Sequence, residues 1–454
     1  MHRRSTFVLL LPIAFASCLA AQDTRTVLEP FFPPICGSID AQLEAPNGTL
    51  APADEQKLDT ARIQKAIDRC GKGRALVLRV NETRNAFLSG PLILHPDITL
   101  ILSRGVYLLA SRDPRLYDVT AGSCGVVNNS PNGCKPLISV SHAPDASIMG
   151  DGVIDGRGGQ AMLGSKFSWW DLAEQARSGG RQQVPRLVVA DYSDNFTLYR
   201  VTLKNSPNFH VTFGHASGFT VWGVRIDTPK RLARNTDGID PGPGVRNVTI
   251  TRSSIRTGDD NVAIKGGTGG ATNMTISHNH FYWGHGMSIG SETDGGVSKI
   301  RVTDLSLDGP DNGIRIKSNG SRGGLTQDVV YDDVCIRNSP NPITLDTAYS
   351  ASGTLTGNSP PNMRDVTLQD VRISGGGAIT FNGYAADHRI AATLDGVQIT
   401  DEGKYTYVLN HADITLGPGA TNLQLPAGND STVSGKPAEG MPGACAEKFV
   451  PFPE

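Results

Sequence analysis

Apolar and polar residues alternate in short runs along much of this chain, and the runs recur at a nearly constant interval. Between residues 235 and 317, four polar clusters each lead into a run of alternating apolar residues. Ile239, Ile264, Ile289 and Ile316 mark these runs, at steps of 25, 25 and 27 residues. A repeat of about 20–50 residues is typical of a solenoid, in which equivalent positions stack on one another. Residues at the same position in the repeat are therefore expected to share a face.

A second series of runs interleaves with the first. Each run has four residues of high β-propensity and opens, in most cases, at a turn-forming residue; the openings are Asn195, Gly218, Asn247, Asn273, Lys299, Asp328 and Asp365. Two or more strands per repeat, with Val, Ile and Leu filling the interior, predict an all-β, right-handed parallel β-helix. A β-sandwich needs turns about every 8–12 residues, so the longer period argues against it.

The best helical pattern lies near the N-terminus, at residues 59–70. Asp59 or Thr60 is suited to be the N-cap, and Ile63 and Ile67 fall on one face. We expect this short helix to cap the N-terminal end of the β-helix.

Two stretches depart from the repeat. Residues 160–184 carry Trp169 and Trp170 and a short helical pattern, and this insertion is expected to form one wall of a groove. From about residue 426 the chain is rich in Pro and Gly, which predicts a tail laid along the outside.

The first 21 residues combine a basic start, an apolar run and small residues, the pattern of a secretory signal peptide. We therefore expect a secreted protein, extracellular or periplasmic, with residues 22–454 as a single β-helix domain. The sequence before Cys18 also resembles a lipoprotein processing box, so the alternative is an outer-membrane lipoprotein anchored at Cys18. No later segment has 18 uninterrupted apolar residues, and the mature chain is expected to be soluble unless it is lipidated.

Six cysteines follow the signal sequence, an even number that suits an oxidising compartment. Cys124 and Cys134 bracket a short loop and are expected to close it; Cys36 with Cys70 is a weaker prediction. No cysteine or histidine spacing indicates a metal or redox centre. The net charge of −2 argues against nucleic-acid binding through a basic surface, and we expect a monomer.

The fourth cluster contains two cations on a strand. Because side chains alternate, Ile314 and Ile316 face the core and Arg315 and Lys317 face outward together. Along the chain no acidic residue lies nearer to this pair than Asp311. The pair is suited to an anionic ligand, and a solvated surface is the alternative.

The first three clusters supply carboxylates and a histidine. Asp237, Asp259 and Asp260 are expected in one patch with His285, and Gly258 permits a bend before the two adjacent aspartates. Like charges and partial burial raise at least one carboxyl pKa, which provides a proton donor. One acid and one base are what glycoside hydrolysis requires. A calcium site or a polar turn is the alternative.

The four clusters resemble the Asn-Thr-Asp, Gly-Asp-Asp, Gly-His-Gly and Arg-Ile-Lys motifs of polygalacturonases, glycoside hydrolase family 28, in the family's order. The strings at 258–265 and 284–292 look most like those of bacterial endopolygalacturonases. The resemblance implies hydrolysis of α-1,4-linked galacturonate in homogalacturonan with inversion, without a cofactor or metal. It implies that Asp259 is the general acid, that Asp237 and Asp260 activate water, and that His285 supports the acid. The implied substrate-binding residues are Arg315, Lys317, Asn235 and Tyr349.

Other functions remain open at this point. An exo-acting polygalacturonase or a rhamnogalacturonan hydrolase is the alternative within the hydrolases, and a calcium-dependent pectate lyase would share the β-helix. A β-helical carbohydrate-binding surface protein is the non-enzymatic alternative.

Overall fold

The computed structural model describes residues 23–350, 356–426, 428, 430–440 and 443–454. The expected signal peptide and Cys18 lie outside these residues. Within the described residues, short strands pair in parallel with strands one repeat away, so successive coils stack as the repeats predict. None of the described helices has the length and apolarity needed to cross a bilayer.

One wall of the β-helix is an eleven-stranded parallel sheet, counted over the described residues. Its strands are Leu92–Ile93, Ile138–Ser141, Val188–Asp191, Val211–Gly214, Ile239–Pro241, Val262–Ile264, Met287–Ile289, Asn312–Lys317, Asn341–Asp346, Gly377–Asn382 and Tyr405–Asn410. All four polar clusters lie on this wall or immediately before its strands.

The register corrects one sequence assumption. Ile264 pairs with Ile289 and Ile289 with Ile316, as expected, but Ile239 pairs with Val262. The assumed equivalence of Ile239 and Ile264 is therefore wrong by two residues. Because side chains alternate with a period of two, both isoleucines still face the core.

The other walls are formed by a larger sheet, which has 21 strands among the described residues. They are Ile35–Asp40, Arg74–Arg79, Ala86–Ser89, Ile98–Leu102, Tyr107–Ala110, Ser147–Gly150, Val153–Asp155, Thr197–Tyr199, Thr202–Lys204, Ser217–Trp222, Arg225–Asp227, Val245–Thr251, Ser254–Arg256, Ala271–Phe281, Val297–Asp308, Leu325–Arg337, Asn362–Ser374, Ile390–Asp395, Gln398–Ile399, Ala412–Leu416 and Thr432–Gly435. From Ala271 to Ser374, single long strands cover two walls, since Ala271–Phe281 pairs with both Val245–Thr251 and Ser254–Arg256.

The runs of the second series stack in this larger sheet, and their opening residues turn the chain. Asn195, Gly218, Asn247, Asn273, Lys299, Asp328 and Asp365 all have φ between 52° and 96°. This left-handed conformation suits Asn, Asp and Gly, which explains why these types recur there.

The interior is a continuous apolar core that runs through the coil stack. One inward row is Ile239, Val262, Met287, Ile314, Ile343 and Ile379, all fully buried and in register with one another. Burying each such side chain contributes about 1.5–3 kcal/mol of transfer free energy. This row fixes which side chains of the neighbouring positions point outward.

The N-terminal helix spans Thr60–Asp68 and buries Ile63 and Ile67 against the core, as predicted. Asp59 precedes it but makes no side-chain cap hydrogen bond. Its carboxylate instead accepts hydrogen bonds from Arg62 and from the backbone N–H of Leu88. Asp59 thus links the helix to the first coils instead of capping the helix as predicted.

The insertion contains the helix Trp169–Gln175, closed at its N-terminus by a capping box between Ser168 and Asp171. Its strand Arg181–Gln183 pairs antiparallel with Val126–Asn128 of the loop between Cys124 and Cys134. Short 3₁₀ helices occupy Pro46–Gly48, Pro52–Asp54, Pro114–Tyr117, Ala176–Ser178, Glu402–Lys404 and Ala446–Lys448.

Disulfides join the cysteines in pairs. Cys36–Cys70 and Cys124–Cys134 agree with the sequence predictions, and the third bond is Cys335–Cys445. The C-terminal tail is more integrated than expected, because Thr432–Gly435 pairs with Ala412–Leu416 and the final residues return along the outside of the coils.

Candidate active site

The carboxylate of Asp259 is held by His285. The imidazole Nδ1 lies 2.9 Å from Asp259 Oδ1, and the backbone N–H groups of Asp260 and Asn235 also donate to this carboxylate. Burial opposes ionisation of Asp259, but the hydrogen bond and charge of His285 and the charge of Lys317 outweigh it, so the pKa is lowered. The pKa of His285 is raised, because Asp259 outweighs the effect of burial. The contact therefore favours an ion pair between the Asp259 carboxylate and a protonated His285.

Glycines bring this pair together by allowing close approach of the backbone. A Cβ atom on Gly258 would lie 2.0 Å from the carbonyl oxygen of Ala233, so the position requires glycine for space; its φ is outside the left-handed region. Gly286 has a φ of +76°, and a Cβ there would lie 2.0 Å from the carbonyl oxygen of Asn312. The expected bend at Gly258 is thus a tight contact between neighbouring coils.

Asp260 lies between the two cations of the fourth cluster. Lys317 Nζ is 2.7 Å from Oδ2, and an Arg315 guanidinium nitrogen is 3.2 Å from Oδ1. Ser288 also donates to Oδ1, at 2.7 Å. Burial raises the pKa of Asp260, but Lys317 and Arg315 outweigh it and the net pKa is lowered.

This contact corrects the expectation that Arg315 and Lys317 have no acidic neighbour nearer than Asp311. The neighbour is Asp260, which is 55 and 57 residues away along the chain. The alternation prediction holds, since Ile314 and Ile316 are in the core while both cations lie outside it. The pair is not a freely solvated surface: the Lys317 side chain is 8% exposed and that of Arg315 is 12% exposed.

Asp237 stacks beside Asp260, two residues before the paired Ile239 and Val262. Asp237 is buried, and burial together with the charges of Asp240 and Asp259 raises its pKa well above the usual range. The three carboxylates are therefore in one patch, and one has a strongly raised pKa.

Asp240 and Lys265 complete the patch, although the sequence interpretation did not single them out. Lys265 Nζ lies 2.8 Å from Asp240 and 3.5 Å from Asp237. Burial raises the pKa of Asp240 to about 6 despite this cation. Both residues could have been predicted from the sequence. Each directly follows a marker isoleucine, so its side chain is expected to face outward with the other site residues.

Asn235 and Tyr349 lie at the edges of the patch. The Asn235 side chain donates to Gln182 Oε1 at 3.0 Å, which links the catalytic region to the insertion wall. The ring of Tyr349 lies 5.4 Å from the guanidinium carbon of Arg315 and 5.2 Å from Lys317 Nζ. All eight residues predicted from sequence are thus in one connected region.

Asp259, Asp260 and His285 bring potential metal-ligand atoms within 4.8 Å of one another. Lys317, Arg315 and Ser288 already occupy the Asp260 carboxylate. A divalent cation would face these positive charges at close range, which disfavours its binding. The donor set therefore fits an acid–base site better than a metal centre.

The chain was compared with known proteins. The family model for glycosyl hydrolases family 28 matches residues 119–416. An endo-polygalacturonase of Pectobacterium carotovorum subsp. carotovorum is 41% identical over 394 residues, which cover 86% of this chain and 93% of that protein. The chain belongs to glycosyl hydrolase family 28. A polygalacturonase of Ralstonia nicotianae is 35% identical over 99% of this chain and 98% of its own length.

Solved structures agree with this family 28 assignment. The polygalacturonase from Erwinia carotovora ssp. carotovora superposes with a TM-score of 0.80 at 40% identity, covering 86% of this chain and 99% of that one. An exopolygalacturonase from Thermotoga maritima, at 19% identity and a TM-score of 0.68, shares the fold. The predicted right-handed parallel β-helix and the predicted family are therefore confirmed.

Proposed function

We propose that this family 28 enzyme hydrolyses the α-1,4 bonds of polygalacturonate at internal positions of the chain. The observation that carries the proposal is a patch of three carboxylates beside Arg315 and Lys317, in which Asp237 stacks on Asp260 and Asp259 directly precedes Asp260. The relatives named endo-polygalacturonase, at 41% identity, support the substrate and the internal mode of cleavage.

The proposed chemistry uses the carboxylates in two roles. Asp237 and Asp260 hold a water molecule and accept its proton while its oxygen forms a bond to the anomeric carbon. Asp259 gives a proton to the glycosidic oxygen as the carbon–oxygen bond breaks, so the anomeric configuration inverts. One water molecule is consumed, and one new reducing end is released.

The proton distribution of the free site bears on these roles. The pKa of Asp259 is lowered and that of His285 is raised by their contact, whereas burial and like charges raise the pKa of Asp237. Family resemblance assigns the acid to Asp259, and in this assignment His285 stores the proton 2.9 Å from the Asp259 carboxylate. The competing assignment makes Asp237 the acid, because a raised pKa favours its protonated form.

Arg315 and Lys317 are proposed to bind a galacturonate carboxylate, with the ring of Tyr349 beside them. In the free protein Asp260 balances both cations, and a substrate carboxylate would join this network. A neutral sugar at this position would leave the cations without an added partner, which argues against a rhamnogalacturonan substrate.

A single assay tests hydrolysis against its alternatives. De-esterified polygalacturonate is treated with the enzyme once with added calcium and once in excess chelator, and reducing ends and ultraviolet absorbance are followed together. A hydrolase releases reducing ends without an absorbance increase. A lyase produces an absorbing unsaturated sugar and loses activity without calcium, and a carbohydrate-binding protein releases neither product.

We also propose export to the extracellular space or periplasm as a monomer. The three disulfides support an oxidising compartment, and the predicted signal peptide at residues 1–21 supports export. Anchoring through Cys18 is the alternative. Labelling with radioactive palmitate distinguishes them, since the lipoprotein incorporates the label and the processed soluble enzyme does not.

A further inference from the structure

A walled cavity of about 320 Å³ lies on the N-terminal side of the catalytic carboxylates. Its lining includes Arg186, Asn208, Gln182 and Asn132. Gln182 accepts a hydrogen bond from Asn235, whose backbone N–H donates to Asp259. The cavity wall is therefore in direct contact with the region of the catalytic carboxylates.

The strand register places Arg186 in line with the catalytic row. Val188 pairs with Val211 and Val211 with Ile239, so Arg186 stacks on Phe209 and Phe209 stacks on Asp237. Neighbouring strands are about 4.8 Å apart, so two steps correspond to about 10 Å. One or two sugar rings span this distance.

Arg186 differs from the other cations of the groove in its partners. Arg315 and Lys317 are paired with Asp260, and Lys265 is paired with Asp240. Among the described residues, no acidic oxygen lies within 4.0 Å of the Arg186 side chain. Arg186 is exposed to solvent. The charges of Asp240 and Asp237 also act on it, although neither carboxylate forms an ion pair with it.

The surroundings of Arg186 are rigid and aromatic. Its guanidinium carbon lies 5.1 Å from the ring of Phe209, and Lys265 Nζ lies 4.2 Å from the same ring. The opposite wall is fixed by the Cys124–Cys134 disulfide and by a hydrogen bond from Gln183 to the carbonyl oxygen of Ser130. A planar cation over an aromatic ring is suited to hold a carboxylate in one orientation.

We propose that Arg186 and Phe209 form a distal subsite that binds the carboxylate of a galacturonate residue one or two rings from the cleaved bond. The inference rests on the proposed function, because polygalacturonate presents one carboxylate on every ring. The subsite lies on the opposite side of the catalytic row from Arg315 and Lys317, so together they bind a segment of several sugars. This arrangement favours cleavage within long chains.

The test compares substrates of different length. Arg186→Gln should reduce kcat/KM on polygalacturonate and on long oligogalacturonates by about three- to thirty-fold, the range between exposed and well-placed charge-assisted contacts. Activity on the shortest oligomer that is cleaved should change by less than about two-fold, because that oligomer does not reach the subsite. Arg186→Lys, which keeps the charge, should lose less than Arg186→Gln on the long substrates.

Arg181→Gln is the matched control, because Arg181 is an exposed arginine of the same wall that does not line the cavity. It should match the wild type at every length, and thermal unfolding should show that all variants are folded. The proposed subsite would be contradicted if Arg186→Gln lost the same factor in kcat/KM on substrates of every length, or lost none on the polymer.

A binding measurement separates this inference from the proposed function. Calorimetry with a pentagalacturonate is carried out on Asp259→Asn and on the same protein with Arg186→Gln added. Weaker binding by the double variant supports the subsite, and equal binding contradicts it. If the wild type binds the pentamer but releases no reducing ends from polygalacturonate, the proposed hydrolysis fails while the binding result still decides the subsite.

Discussion

At the residue scale, the central question is which carboxylate donates the proton. The pKa of Asp259 is lowered by its hydrogen bond to His285 and that of His285 is raised by Asp259, whereas burial and like charges raise the pKa of Asp237 well above its usual range. In the proposed mechanism, binding of a glycosidic oxygen beside Asp259 would allow a proton held by His285 and Asp259 to move toward that oxygen. Family resemblance and the charge state of the free site therefore support different donors, and kinetics can choose between them.

Leaving-group chemistry makes this choice. Asp259→Asn, Asp237→Asn and Asp260→Asn should each lose about two to four orders of magnitude on polygalacturonate. A galacturonyl fluoride needs little protonation of its leaving group, so Asp259→Asn should recover a large part of the wild-type rate on it. The other two variants should remain slow. Recovery by Asp237→Asn, with Asp259→Asn still inactive, would reverse the assignment.

The two cations of the fourth cluster should differ in their effects. Arg315→Gln should weaken kcat/KM on polygalacturonate by about 2–4 kcal/mol, with a smaller loss on highly methyl-esterified pectin, because it removes a partner of the substrate carboxylate. Lys317→Met also removes the closest cation of buried Asp260, so we expect substantial losses on both substrates. Equal losses by Arg315→Gln on both substrates would indicate a structural role for Arg315.

The raised pKa of Asp240 predicts a pH effect on stability. Its pKa is about 6 in the folded protein and 3.8 when unperturbed, so the folded state holds an extra proton between these values. The free energy of unfolding contributed by this group therefore falls as pH rises from about 4 to about 6. Denaturant unfolding should show wild type losing stability relative to Asp240→Asn over this interval.

Asp413 provides the control for this measurement. Arg389 lowers the Asp413 pKa to about 2, so the difference between wild type and Asp413→Asn should be constant above about pH 4. A constant difference for Asp240→Asn over the same interval would contradict the raised pKa.

At the element scale, most of the fold prediction rested on the periodicity of apolar residues. The apolar alternation was sufficient to predict the parallel strands and the outward direction of Arg315 and Lys317, because a two-residue period fixes the face. It did not give the register between Ile239 and Val262, since loops of different length separate the repeats. The contact of Asp260 with Lys317 bridges 57 residues and follows from the coil stack alone.

The C-terminal tail is an element whose contacts sequence did not indicate. Cys445 is bonded to Cys335, Lys448 contacts Asp304 at 2.7 Å, and Tyr282 donates to the carbonyl oxygen of Val450. The tail thus spans several coils on the side formed by the larger sheet. It is well placed to stabilise the coil stack without contacting the catalytic patch.

Removing the Cys335–Cys445 bond should therefore lower stability more than activity. The bond closes a loop of 110 residues, and loop entropy for about 100 residues corresponds to about 4–5 kcal/mol. The double variant Cys335→Ala with Cys445→Ala should have a clearly lower Tm and nearly unchanged kcat at low temperature. The Cys124→Ala with Cys134→Ala variant is the comparison, since its bond closes only 10 residues and should give the smaller shift in Tm. The opposite order of the two shifts would contradict this account.

At the scale of the whole molecule, one face of the β-helix gathers the chemistry. Along the eleven-stranded sheet, Arg186, the patch of three carboxylates and the two cations follow one another in order, on its strands or immediately before them. The insertion and the loop closed by the Cys124–Cys134 disulfide form a wall along the N-terminal part of this sheet. The proposed sugar contacts on both sides of the carboxylates suit attack within a long chain, and internal cleavage is the central claim.

The most direct measurement follows viscosity and reducing ends together during digestion of de-esterified polygalacturonate. Internal cleavage predicts that viscosity falls by half while only a few percent of the bonds, about 5% or fewer, have been broken, with oligomers as the early products. A slow fall in viscosity, proportional to the release of reducing ends and with monomer as the only early product, would contradict internal cleavage.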